Sequence, residues 1–201
     1  MENRNTLKIL FEDFLPNKDF GSIGPVCSYR DLNNTLTSNF VAAKTCYGFD
    51  QTSKLIEFSG MRSECGLIEK KFLKSIGGWN FFPSAGGEEF ELGHRIMKHG
   101  KKNIITKNTN YSTFYDNLYT RCKTIISRTS SYLPIFISRK KFETKGAFAT
   151  LNQSLSTLIT ALLILGIILS FFIKDYKILI LMLFIINLIV EFNFLKFSMK
   201  Y

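Results

Sequence analysis

The sequence contains no CxxC or CxxH spacing: its four cysteines, Cys27, Cys46, Cys65 and Cys122, stand far apart. A zinc ribbon or a thioredoxin-like redox motif would need such spacing, so neither is present. In a reducing compartment these residues stay thiols, and as isolated cysteines they read as small buried hydrophobes. There is no secretory leader pattern either, because Met1 to Asn5 leads into an amphipathic stretch charged throughout. Internal repeats and low-complexity tracts are absent. Acidic residues are outnumbered, 16 Asp and Glu against 26 Lys and Arg, and the net charge is +10. A surplus of that size implies a polyanionic neighbour, whether an anionic bilayer, a nucleic acid or a phosphorylated substrate.

What the chain has in abundance is apolar sequence near its C-terminus. Leu155 to Ile173 runs nineteen residues without a charge, LSTLITALLILGIILSFFI. As a helix this is about 28 Å long, close to the hydrocarbon thickness of a bilayer. A soluble core helix rarely lacks a polar stripe over so many turns. Ile178 to Val190 is too short to span alone, and continuing past Glu191, Asn193 and Lys196 to Phe197 restores the length. The polar residues then fall near one interface, where long side chains snorkel. Lys174 to Lys177 is the turn, and the expectation is a two-helix transmembrane hairpin over 151–201.

The basic residues set the expected orientation. Between Arg121 and Lys145 stand Arg121, Lys123, Arg128, Arg139, Lys140, Lys141 and Lys145 against one acid, Glu143. A cluster of this kind just ahead of a first span favours the cytoplasmic side and an anionic leaflet. Because it abuts the membrane segment, membrane lipid is the expected partner and nucleic acid is not. Residues 121–150 are accordingly read as a basic amphipathic juxtamembrane segment.

Residues 1–120 alternate helix and strand signals, which argues for an α/β layered domain. Asn5 or Thr6 caps a helix with Leu7, Leu10, Phe11 and Phe14 on one face, and Pro16 stops it. Gly21 to Cys27 reads as a buried strand, while residues 28 to 56 carry no decisive pattern. A helix from Glu69 to Ile76 stops at Gly77 and Gly78. The aromatic loop Trp79-Asn80-Phe81-Phe82-Pro83 and the approach Ala85-Gly86-Gly87 follow. A second helix from Glu88 to His99 ends at Gly100, with acids in its first turn and cations in its last, as the helix dipole favours. Asn103 to Thr106 and Tyr111 to Phe114 read as two short strands. His94 and His99 fall on a surface-like helix face, where solvation is the expected state.

The ordered run FSG, GLIEKKFLKSIGGWN and GGEEFELGHRIMKHGKKN resembles the second half of family 2 glycosyltransferases of the GT-A type. In that family a glycine-bearing strand leads to a basic, GG-containing segment, and then to a G-E-D-x-[ED]-L-x-x-R helix. The resemblance covers roughly residues 20 to 106. It implies a partial GT-A domain, Rossmann-like and binding nucleotide-diphospho-sugars. In such enzymes the second acid of the helix motif is the catalytic base of an inverting transfer. The matching residue is Glu89, with Glu in place of the usual Asp, and Glu88 matches the first acid. By the same resemblance Gly60, Trp79, Asn80, Phe81, Glu91 and Arg95 line the substrate site. Capping alone also accounts for acids at a helix start. Trp79 and Phe81 suit either stacking on a sugar or lipid acceptor or anchoring the loop.

Two family features are missing. The Asp-x-Asp element that holds nucleotide diphosphate through a metal does not occur, since every Asp here is isolated. In the family it precedes a helix like Leu7 to Leu15, so the chain is expected to begin just after it. Mg²⁺ or Mn²⁺ is therefore expected only with the missing half supplied, and no cofactor is expected on this chain alone. The Gln-x-x-Arg-Trp signature of processive synthases is also absent, Trp79 being the only tryptophan. The resemblance implies a fragment or split subunit of a membrane-anchored transferase. It would pass a sugar from a nucleotide sugar to a lipid-linked or other saccharide acceptor. The alternative is a non-catalytic membrane docking module.

Overall fold

The computed structural model describes residues 4–29, 32–49, 53–82, 87–143, 150–170 and 177–199. The Ala85-Gly86 approach, Lys145 and the Lys174 to Tyr176 turn lie outside them. The chain divides into two compact units, Met1–Ala147 and Phe148–Tyr201.

The first unit is a mixed α/β layer structure. Helix α1 (Thr6–Phe14) leads to strand β1 (Phe20–Cys27), and helix α2 (Leu36–Tyr47) to strand β2 (Leu55–Glu57). Next come β3 (Leu67–Ile68), α3 (Lys70–Ser75), α4 (Glu88–Lys98), β4 (Lys102–Tyr111) and α5 (Leu118–Arg139). The four strands form one sheet in the order β2-β4-β1-β3. The central pair β1 and β4 is parallel, and both edges are antiparallel.

Alternation along β4 assigns its faces. Ile104 packs with Leu10 of α1 and Ile23, whereas Ile105 packs with Phe49 and Ile56. A third cluster, Met61, Ile76, Leu92 and Ile96, joins α4 to the segment after β2. Buried polar groups fix the docking of the helices. Ser22 donates to Asn103 Oδ1 at 2.7 Å, and Asn103 Nδ2 donates to the Gly93 carbonyl at 2.8 Å, so one asparagine ties β1, β4 and α4. On the other face Asp13 of α1 accepts from Thr106 at 2.6 Å and from Asn108 at 3.0 and 2.9 Å.

Several elements differ from the sequence expectation. Residues 28 to 56 contain α2, capped by a Thr35–Ser38 capping box, and β2. The two short strands at 103 and 111 are one strand. The β1–β4 ladder shifts register between Pro25 and Val26, passing from Thr106 to Asn110, so the polar stretch between them is a bulge rather than a break. Both predicted helix stops hold: Gly77, Gly78 and Gly100 have φ of 91°, 71° and 76°, conformations that favour glycine.

The second unit consists of α6 (Leu151–Ser170) and α7 (Lys177–Ser198). Both are long and apolar enough to cross a membrane. Apolar side chains such as Leu158, Leu165, Phe184 and Ile189 point outward. Between the helices a Cβ on Gly166 would meet Ile180 at 3.4 Å, and Asn187 donates to Thr160 Oγ1 at 2.9 Å.

Candidate functional site

The three acids that open α4 hold three different positions. Glu88 folds back, its Oε2 accepting from the Gly87 N–H at 2.9 Å, so the helix start is served by Glu88. Glu89 reaches away from the helix to the loop after β2. Its Oε1 accepts from the Ser63 hydroxyl and, at 3.4 Å, from the Ser63 N–H, while its carbonyl accepts from Met61 N at 3.0 Å. Glu91 pairs with Arg95 one turn on, Oε1 to Nε at 2.6 Å. The Gly87 N–H at the helix start is thus bonded by Glu88, while the Glu89 carboxylate bonds Ser63.

The contact between the loop and α4 depends on two glycines. A Cβ on Gly93 would lie 2.5 Å from the Ser59 carbonyl and 2.7 Å from Gly60 Cα. Gly60 itself is pressed by the Phe58 ring, 2.8 Å from where its Cβ would be. This close approach brings residues 61–63 beside the first turn of α4, where Glu89 sits.

Burial pushes the Glu89 carboxyl above the ordinary range, and the nearby Glu64 charge adds to it; the Ser63 hydrogen bond and Arg62 offset only part. A carboxylate desolvated in this way is a stronger base than one in water. Arg62 is the cation of the cluster. Its side chain is only 9% exposed, lying over Phe49 at 4.8 Å from the ring centroid. Gly24 makes room for it, since a Cβ there would meet Arg62 Cβ at 2.5 Å. Nη1 reaches Tyr111 Oη at 3.4 Å, whereas Nε and Nη2 have no hydrogen-bond partner among the described residues. A buried guanidinium left with open donors can accept an anion or a carbonyl.

The remaining residues divide between scaffold and surface. Arg95 donates to the carbonyls of Ile76 and Gly78, both at 2.7 Å, so together with Glu91 it clamps the turn after α3. Trp79, Asn80 and Phe81 follow that turn with exposed side chains, Trp79 at 44% and Phe81 at 92%. They are open to a stacking ligand and anchor no core.

His94 departs from expectation. Its side chain is mostly buried, with Nε2 3.2 Å from Glu143 Oε1. Arg139 Nη1 and Tyr132 Oη donate to the same oxygen at 2.6 and 2.5 Å. Burial would raise the Glu143 carboxyl, but hydrogen bonds from His94 and Tyr132 outweigh it and lower it to about 2. Phe90 meets Tyr132 edge-on at 5.1 Å, so this cluster fastens the C-terminal end of α5 to α4. The partner residue lies 49 positions from His94, which is why helix periodicity alone could not place it.

Among the described residues, no group of three His, Cys, Asp or Glu side chains is disposed to hold a metal ion. Glu64 and Glu89 both face the Arg62 charge, so they do not make a cation site. No family model, curated protein or solved structure matches the chain.

Proposed function

We propose that this chain is the acceptor-activating part of a membrane-anchored inverting glycosyltransferase of the family 2, GT-A type, with Glu89 as the general base. One observation carries the reading: of the three acids opening α4, Glu88 turns back to the Gly87 N–H and Glu91 pairs with Arg95, whereas Glu89 reaches the loop after β2 with a basicity raised by burial. In the reaction, the Glu89 carboxylate takes the proton of an acceptor hydroxyl as that oxygen attacks the anomeric carbon of a nucleotide sugar. The bond to the diphosphate breaks on the opposite face, and the configuration inverts. The exposed Trp79 and Phe81 suit a sugar or lipid acceptor. The chain has no Asp-x-Asp element; in this reading the donor and its Mg²⁺ or Mn²⁺ come with a separate donor-binding half.

The acceptor is a lipid-linked saccharide, the helices α6 and α7 span the bilayer, and the mixed α/β unit faces the cytoplasm. The fit of α6 and α7 to a membrane supports this placement, and the basic residues of 121–145 supply its direction. The test is sugar transfer in membranes that contain this chain together with an Asp-x-Asp-bearing donor-binding half. Wild type should turn over and Glu89→Gln should lose about 10²–10⁴ in rate. Equal turnover by Glu89→Gln would remove the base assignment. It would move suspicion to Glu88 or Glu91, whereas no transfer by the wild-type chain with the donor-binding half would favour the second reading, a non-catalytic docking module.

A further inference from the structure

The two cysteines that sequence spacing leaves unrelated meet in the fold. Cys27 is the last residue of β1 and Cys46 lies in the last turn of α2. Their sulfur atoms are 3.2 Å apart, and Cys46 Sγ also donates to the Cys27 carbonyl at 3.2 Å. Both side chains are buried, yet Cys46 lines a cavity of about 300 Å³ together with Val26, Tyr29, Phe49 and Lys107. A small polar oxidant fits such a space, against Cys46 and beside Cys27, which does not itself line it. The hydrogen-bonding contact with the Cys46 sulfur lowers the Cys27 thiol to about 7; burial opposes this, and the Arg62 charge reinforces it.

From this geometry we infer that Cys27 and Cys46 form a peroxide-responsive dithiol site that closes to a reversible disulfide between β1 and α2. In the first step the Cys27 thiolate attacks one oxygen of a hydroperoxide. The O–O bond breaks, the leaving oxygen departs as hydroxide, or alkoxide from an organic peroxide, and Cys27 becomes a sulfenic acid. Cys46 then attacks the Cys27 sulfur. The S–S bond forms, and the sulfenic hydroxyl leaves as water with the Cys46 proton. Two thiols are oxidised by two electrons and the peroxide is reduced by two. Closing the bond needs the sulfurs to approach from 3.2 Å to about 2.05 Å, a short movement between a strand end and a helix end. In a reducing compartment the product is transient, because the thiol pool returns it to the dithiol. The site does not depend on the transferase reading.

The experiment uses the full chain in detergent micelles with Cys65→Ser and Cys122→Ser, which leaves only the pair. Hydrogen peroxide is added, remaining thiols are alkylated under denaturing conditions, and the mass and tryptic map are read. The expected result is loss of both alkylation sites, a peptide linking Cys27 to Cys46, and full recovery with dithiothreitol. A second measurement covers a pair variant that folds poorly: in Cys46→Ser, dimedone should label Cys27. Denatured protein treated in parallel should close the bond at least tenfold more slowly. The inference is overturned if both thiols stay alkylatable, if oxidation proceeds to sulfinic acid without the cross-linked peptide, or if native and denatured chains react at equal rates.

Discussion

Gly93 of α4 rests directly on the backbone of Gly60, with the nearest atoms 2.7 Å from the position a Cβ would take. No side-chain rotation relieves a clash of that kind, because both walls are main chain. The contact therefore sets how closely α4 lies to the loop that carries Ser63, and with it the seat of Glu89.

Gly93→Ala should displace α4 and cost about 1–3 kcal/mol of stability, the usual range for overpacking a tight contact. A melting curve of the first unit in the full chain checks this. Transfer should fall further than the loss of folded protein accounts for, since Glu89 shifts with the helix. A variant as stable and as active as wild type would show that the close approach is not required.

On the proposed transferase reading, Glu89 separates catalysis from stability. Its folded-state pKa is raised above 4.5, so the ionised form costs stability: the contribution is complete below 4.5 and is lost as pH rises from there through the folded-state value. Glu89→Gln should hold or slightly raise the melting temperature at neutral pH while removing transfer. Glu89→Asp should retain part of the rate, because the shorter side chain keeps the base but loses reach toward the acceptor. A Gln variant that melts well below wild type, with unchanged turnover per folded molecule, would identify the residue as structural.

Glu143 predicts an acid transition. Its carboxyl is lowered from 4.5 to about 2, so its stabilising contribution is complete above 4.5 and is lost as pH falls through about 2. For a side chain with no exposure the linkage is worth about 3 kcal/mol. Acidification across that window should release the end of α5 from α4, read as increased hydrogen exchange around Tyr132 and Arg139. Glu143→Gln should weaken the same contact at pH 7 and flatten its acid dependence.

The exposed cations on α5 and just past its end should carry the membrane attraction. Lys123, Arg128, Lys140 and Lys141 are exposed, whereas Arg139 is engaged with Glu143. Changing the four exposed cations to Gln should weaken binding of residues 1–147 to anionic vesicles, most visibly at low salt. Changing Arg139 should act on stability first. Equal binding to neutral and anionic vesicles would contradict an electrostatic role.

Local chemistry made some of this fold readable and tertiary contact hid the rest. The ends of α3 and α4 were legible because Gly77, Gly78 and Gly100 take positive φ. The two apolar helices were legible from their length and lack of charge. Helix α2 was not: LTSNFVAAKTCY has no clear apolar stripe, and its capping box uses Ser38 where Glu or Gln gives the usual signal. β4 looked like two strands because Lys107 and Asn108 fall at the bulge. Glu89 could be singled out by pattern, but its release from capping depends on Ser63, 26 residues away. The burial of His94 and the meeting of Cys27 with Cys46 likewise depend on partners that no helical or strand period brings together.

The hydrogen bond from Asn187 to Thr160 indexes one apolar helix against the other. Along two surfaces of nearly interchangeable aliphatic side chains, many offsets bury similar area, and area alone selects none of them. An amide and a hydroxyl that must meet behave as a pin in a slot. Slipping α7 by a single residue would swing the Asn187 amide by about 100° and break this hydrogen bond, although Thr160 would keep its own to the Ser156 carbonyl at 2.8 Å. The α6–α7 pair thus has a fixed phase, and a twist applied to one helix is transmitted to the other without slip.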